Sequence, residues 1–242
     1  MSGHSKWAKT HRQKSVTDAK KGAIFTKLAN LITIAARESG GDPETNFKLR
    51  LAVDKAREAN MPKDNIERAI AKGTGANKDG VNFEEIIYEV IGPAGAGFII
   101  EAITDNKNRT VADLKSALNK NGGQLGSSGS VSWNFKRLGS LLIESSGLNE
   151  EQELELIDAG AEDIKKITET TEVEINTPVE SLFQVANKAK EIGLNIKETS
   201  IIYQPKEEIT ITDAADRERI ERLYGAIDDL DDITNVYTNA SW

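Results

Sequence analysis

The 242-residue chain contains no cysteine, two histidines and two methionines, and only 5% of its residues are aromatic. Without cysteine there can be no disulfide staples, thiolate metal sites or thiol nucleophiles, which fits a reducing compartment. The histidines, His4 and His11, lie seven residues apart near the start of the chain. At that spacing neither a zinc site nor a histidine-based triad assembles, and His11 reads as a surface or phosphate-side residue. Long apolar runs are also missing. The most apolar helical stretch, Ile24 to Ala36, is interrupted by Lys27 and Asn30 and is too short to cross a bilayer, and the first residues lack the apolar core of a signal peptide. The expectation is a soluble, cytoplasmic protein that needs no membrane, metal, cofactor or small-molecule substrate and is not an enzyme.

With 38% hydrophobic and 29% charged residues the chain has the composition of a folded protein, and its length suits two or three modules. The net charge of −8 conceals a division. Residues 1–79 hold 16 Lys and Arg against 9 Asp and Glu, whereas the remainder holds 15 against 30. The densest positive stretch is Gly3 to Lys27, where Lys6, Lys9, Arg12, Lys14, Lys20, Lys21 and Lys27 face one acid, Asp18, with Trp7 among them. Cations neutralise phosphates and release counterions, and a flat aromatic stacks on an exposed base, so this mixture suits a polyanion. A plain solvated basic helix end is the alternative.

From Asp18 to Glu38 apolar residues recur every three or four positions, which predicts an amphipathic helix ended by Gly40-Gly41. Asp42-Pro43 reads as the cap and first-turn proline of a second helix carrying Leu49, Val53 and Ala56. Pro62 opens a third, with Gly73 as its stop. The run 72–81 reads as a linker. Strands are expected at Phe83 to Ile91 and Phe98 to Thr104, joined by the turn Gly92 to Gly97, whose spacing does not match a dinucleotide loop. Thr110 with Asp113 resembles a capping box, opening a helix that stops at Gly122-Gly123. A polar loop, 126–130, precedes a strand from Val131 to Phe135. From Ser140 to Tyr203 the order is βαββαβ, the ferredoxin-like split unit. A strand, a helix and a strand follow. The elements on either side are too small to bury a core alone and are expected to pair, which makes the ferredoxin-like unit an insertion.

The fold class expected is α+β, with a basic arm and three-helix bundle over 1–80, a middle α/β domain over 81–137 plus 206–242, and a ferredoxin-like domain over 138–205. The loop Asp105-Asn106-Lys107-Asn108-Arg109 lacks the alternation of a calcium site. It has two open readings: Asp105, Asn106 and Asn108 hold a turn, or the loop is a contact surface in which Arg109 meets phosphate at a helix N-terminus. Asp228-Asp229-Leu230-Asp231-Asp232 reads as a solvated acidic edge rather than a metal cluster.

Several ordered motifs resemble the YebC family over essentially the whole length: Gly3-His4-Ser5-Lys6-Trp7-Ala8, Asp18-Ala19-Lys20-Lys21-Gly22, Met61-Pro62-Lys63-Asp64-Asn65, Tyr88-Glu89, Thr104-Asp105-Asn106 with Asn108-Arg109-Thr110, Gly129-Ser130-Val131, and Asp231-Asp232. The resemblance implies a three-domain α+β protein with a non-enzymatic role in gene expression. For some relatives that role is promoter DNA binding, and for others it is assistance to ribosomes, through rRNA or tRNA, on proline-rich messages. The family arm commonly reads Arg-His-Arg-Lys where this chain has His11-Arg12-Gln13-Lys14, and commonly has a cation where this chain has Ala23, so positive charge is thinner here. The leading expectation is a nucleic-acid-binding regulator gripping phosphates through the arm. A translation factor on the ribosome is the alternative, and a protein-interaction scaffold the third.

Overall fold

The computed structural model describes residues 18–75, 83–167 and 170–242, with the side chains of 18–21 outside the description. By contact the chain divides into two compact units, Met1–Phe135 with Pro205–Trp242, and Lys136–Gln204. In chain order the elements are helices α1 (Asp18–Ser39), α2 (Phe47–Glu58) and α3 (Lys63–Gly73), then strands β1 (Glu84–Ile91) and β2 (Gly97–Thr104). Helix α4 (Lys107–Asn121), β3 (Gln124–Leu125), β4 (Phe135–Glu144), α5 (Glu150–Asp158), β5 (Asp163–Ile167) and β6 (Glu172–Thr177) follow. The chain ends with α6 (Leu182–Glu191), β7 (Ile196–Pro205), β8 (Ile209–Thr210), α7 (Ala214–Asp228), β9 (Ile233–Thr238) and β10 (Ala240–Ser241).

The periodic apolar residues of the first three helices meet in one core, including Ile32, Ala35, Leu49, Val53, Ala56 and Ile66. The cap of α2 is not Asp42, which lies in a turn and accepts from the Glu44 N–H at 3.0 Å. Asn46 takes that role. Its Oδ1 accepts the Leu49 N–H at 3.0 Å, while Nδ2 donates to the carbonyls of Ala35 (2.7 Å) and Gly40 (2.8 Å). One buried amide thus satisfies both the end of α1 and the start of α2.

In the middle sheet the strand order is β3-β1-β2-β9, with antiparallel ladders throughout. Alternation puts Val90, Phe98, Ile100 and Val236 on one face, where they share a core with Leu114 and Leu118 of α4 and Leu223 and Ile227 of α7. The opposite face carries Glu89, Ile99 and Tyr237 in one row, Ile87, Glu101 and Asn235 in the next, and Glu85 beside Ile103. Helix α1 lies against β2 and β9, and Lys48 of α2 pairs with Glu85 at 2.6 Å, so the bundle is tied to the sheet. β8 and β10 form a separate two-stranded parallel pair.

Two further expectations fail for identifiable reasons. Helix α4 begins a turn before Thr110, because Asn106 Oδ1 accepts the Arg109 N–H at 3.2 Å and acts as the N-cap. It ends at Gly122, whose φ of 74° is the left-handed conformation a helix stop uses. No strand begins at Val131. A 3-10 turn over Ser132–Asn134 comes first, because the amides of Val131 and Ser132 are drawn to the Glu89 carboxylate and cannot enter a ladder.

The second unit has the sheet order β5-β6-β4-β7. Read from the other edge this is fourth, first, third, second strand of a βαββαβ chain, the ferredoxin-like arrangement. Leu141, Ile143, Val173 and Ile175 on the central strands are buried, as are Leu156 of α5 and Leu182, Val185 and Ala189 of α6. The fold is α+β.

Helices α1 and α3 cross closely at Gly73, where an added Cβ would lie 2.3 Å from the Thr33 carbonyl oxygen and 2.7 Å from the Ala36 Cβ. Backbone cannot swing aside as a flexible side chain can. Gly73→Ala is therefore expected to lower stability by about 2 kcal/mol despite its better helix propensity, measured by urea denaturation.

Candidate nucleic-acid interface

Of the residues expected to meet nucleic acid, Lys6, Trp7, Lys9, His11, Arg12 and Lys14 lie outside the described residues. Lys20 and Lys21 fall within the first turn of α1 by backbone. Residues 1–21 hold six cations and one acid, and residues 22–79 hold ten cations and eight acids. Most of the excess charge therefore precedes Gly22. Many cations of the bundle proper have acidic neighbours: Lys48 with Glu38 (3.0 Å) and Glu85 (2.6 Å), Arg50 with Glu44 (3.2 Å), Arg57 with Asp54 (3.3 Å) and Lys63 with Glu67 (3.5 Å). Burial opposes the charge on Lys48, but the hydrogen bonds it donates to Glu85 and Glu38 outweigh it and raise its pKa.

Lys27 has a partner within the chain. Its Nζ donates to the Asp228 carbonyl at 2.5 Å, a group left open at the end of α7. Burial lowers the Lys27 pKa, offset in part by the charges of Asp228, Asp229 and Asp231. Here the ammonium fastens α1 to the carbonyl end of another helix, where a cation is favoured, and it is committed inside the unit.

Arg109 also has partners within the chain. Its Nη2 donates to Asp105 Oδ1 at 2.9 Å and to both oxygens of Asp232 at 2.9 and 3.1 Å. The hydrogen bond to Asp232, then that carboxylate's charge, raises the guanidinium pKa further. Asp232 also accepts from the hydroxyls of Thr110 (2.6 Å) and Thr104 (3.1 Å), and its backbone carbonyl takes the Ile103 N–H at 2.8 Å. The Thr104 hydroxyl in turn accepts the Asn106 N–H at 2.9 Å. The two motifs 104–110 and 231–232 thus form one clamp joining the end of β2, the start of α4 and the turn before β9. Asp232 is no solvated edge, since its side chain is only 12% exposed. Asn108 is exposed on the first turn of α4. Among the described residues no group of three or more His, Asp or Glu side chains could hold a metal, and no helix is long and apolar enough to cross a membrane.

A feature that sequence reasoning did not single out is the Glu89 carboxylate. It is 7% exposed and accepts the N–H groups of Gly129 (2.7 Å), Val131 (2.7 Å) and Ser132 (2.9 Å), with the Ser130 hydroxyl at 3.3 Å. Burial pushes its pKa up, but the donors from Val131, Gly129 and Ser132 prevail and hold it at about 2. The sequence signal was the pair of motifs Tyr88-Glu89 and Gly129-Ser130-Val131, which the family resemblance carries without giving the carboxylate a role.

A helical bundle tied to an antiparallel sheet, and a ferredoxin-like unit, together define an α+β protein. The chain belongs to the TACO1/YebC family. A family model described as the TACO1/YebC protein N-terminal domain matches residues 5–76, and one described as the TACO1/YebC second and third domain matches residues 83–240. The chain is similar to a probable transcriptional regulatory protein of Chlorobium chlorochromatii, 48% identical over 99% of this chain and 95% of the relative. A protein of the same description from Halothermothrix orenii is 43% identical over 99% of this chain and 94% of its own length. Among solved structures, a conserved hypothetical protein of Aquifex aeolicus is 38% identical, with a TM-score of 0.81 over 94% of this chain and 93% of that one.

Two outcomes follow for these carboxylates. Because the folded pKa of Glu89 lies below its ordinary value of 4.5, its contribution to stability is complete above pH 4.5 and is lost as pH falls toward about 2. Glu89→Gln is expected to cost about 2 kcal/mol at pH 7 and to flatten the acid limb of stability over that window, read by denaturant midpoints at successive pH values. Asp232→Ala, which removes an acceptor shared by Arg109 and two threonine hydroxyls, is expected to cost about 3 kcal/mol by the same measurement.

Proposed function

We propose that this protein is a nucleic-acid-binding regulator of gene expression whose leading basic segment grips a phosphate backbone. The observation that supports it is the position of the charge: six cations against one acid in residues 1–21, while Lys27 and Arg109 are engaged internally. Lys6, Lys9, Arg12, Lys14, Lys20 and Lys21 supply neutralisation, and Trp7 supplies an aromatic face. The acidic remainder repels the polymer and so orients encounter. The relatives' name points to transcription and hence to DNA. The same chemistry serves ribosomal or transfer RNA, and the loop 105–109 then acts in shaping the fold rather than in contact.

With six phosphate contacts on duplex DNA, affinity is expected to fall with salt at a log-log slope of about −5, and more gently on single strands. Lys20→Gln with Lys21→Gln should flatten the slope by about two units, whereas Lys27→Gln and Arg109→Gln should leave it unchanged. Fluorescence anisotropy of labelled DNA and RNA across a salt series measures both. An unaltered slope in the Lys20/Lys21 variant removes the segment from the interface.

A further inference from the structure

Outside the basic segment, the most exposed large apolar side chain among the described residues is Trp133, at 65%. It is also held in place. Its ring Nε1–H donates to the Ser130 carbonyl at 3.1 Å, and Ser130 belongs to the loop whose amides Glu89 captures. On its other side, Asn134 exchanges hydrogen bonds with the Glu207 backbone at 2.8 and 2.9 Å, and its carbonyl accepts the Lys206 N–H at 2.7 Å. Lys206 Nζ donates to the Trp133 carbonyl itself at 2.6 Å. An indole fixed this way has already lost much of the freedom that binding would otherwise take from it.

The spent N–H decides what such an indole can recognise. With its only donor used, the ring offers a flat π surface and no hydrogen bond. Beside it the exposed Lys206 ammonium has two donors left after the Trp133 carbonyl, but Glu207 and Glu208 are exposed next to it. One cation against two acids is too little to hold a duplex by its phosphates. Stacking must therefore carry any nucleic-acid contact here, and duplex bases are already stacked on one another.

We propose that Trp133 is a stacking platform for a single unpaired base, with Lys206 donating to an oxygen of the same nucleotide. The inference rests on the nucleic-acid reading above and sharpens it: the preferred partner is a strand with unpaired nucleotides, such as a loop, a single strand or an opened duplex.

The test uses the full chain carrying Trp7→Phe and Trp242→Phe, so that Trp133 alone emits. It is titrated with a 12-nucleotide oligo(dT), an oligo(rU) and a 12-base-pair duplex, and binding is followed in parallel by anisotropy of the labelled strand. Indole emission is expected to be quenched by the single strands and not by the duplex. Trp133→Ala in the otherwise natural chain should weaken single-strand affinity about ten-fold, with Trp133→Phe retaining most of it and the salt slope unchanged in both. Thermal melting of both variants controls for folding. Single-strand binding with unquenched emission, or equal affinity for Trp133→Ala, overturns the platform while leaving the basic segment standing. Single strands that fail to bind while the duplex binds overturn the platform alone, and failure of all three to bind the intact protein even at low salt overturns both. An indole that serves a protein contact would move neither readout and counts against the proposal.

Discussion

A buried carboxylate and a largely covered one, at opposite ends of the middle sheet, determine how the first unit is assembled. Glu89 sits beside Ile99 near the Gly97 end of β2, and Asp232 meets β2 at Ile103 and Thr104. Burying a carboxylate is costly unless hydrogen bonds replace the lost water, and each of these has collected its donors from a different piece of chain. Glu89 takes three amides from one loop, and Asp232 takes a guanidinium and two hydroxyls from β2 and α4. The loop conformations follow from that demand. Remove either acceptor and the segments around it have no reason to hold their shape.

The same accounting separates structural cations from available ones. Lys27 satisfies an open helix carbonyl and Arg109 balances Asp232, so each already has a partner within the unit. Both would count as binding residues on charge alone. Under the function proposed above the interaction concentrates on the leading segment, and the exposed Trp133 lies distant in sequence from it.

Periodicity carried most of the architecture. The α1 span, the β1 and β2 strands and the βαββαβ order of the second unit are all legible because apolar spacing reports which face is buried. Misreadings arose where a side chain acts on distant backbone. Thr110 with Asp113 has the form of a capping box, yet Asn106 caps and the Thr110 hydroxyl serves Asp232, 122 residues away. Asp42-Pro43 has the form of a helix start, yet Asn46 wins because its amide can also reach the carbonyls that end α1. The run from Val131 looks like a strand until Glu89 takes its amides. The Asp231-Asp232 pair looked like solvent-facing charge because sequence gives no sign of an arginine folding back onto it. For the candidate interface, charge density was readable from sequence, but which cations are already engaged was not.

The pairing of β2 with β9 also bears on how the protein is made. Gly97 and Asn239 exchange hydrogen bonds at 2.7 and 3.2 Å across 142 residues, and the whole second unit is encoded between them. A chain emerging from its start finishes that second unit while the sheet of the first still lacks its last strand. Residues that become an interior ladder, Phe98 to Ile103 above all, wait with an open edge until the tail arrives. The closure entropy of so long a loop grows only slowly with length, so the delay is a matter of rate rather than of final stability, and the nascent chain is most vulnerable to mispairing during synthesis.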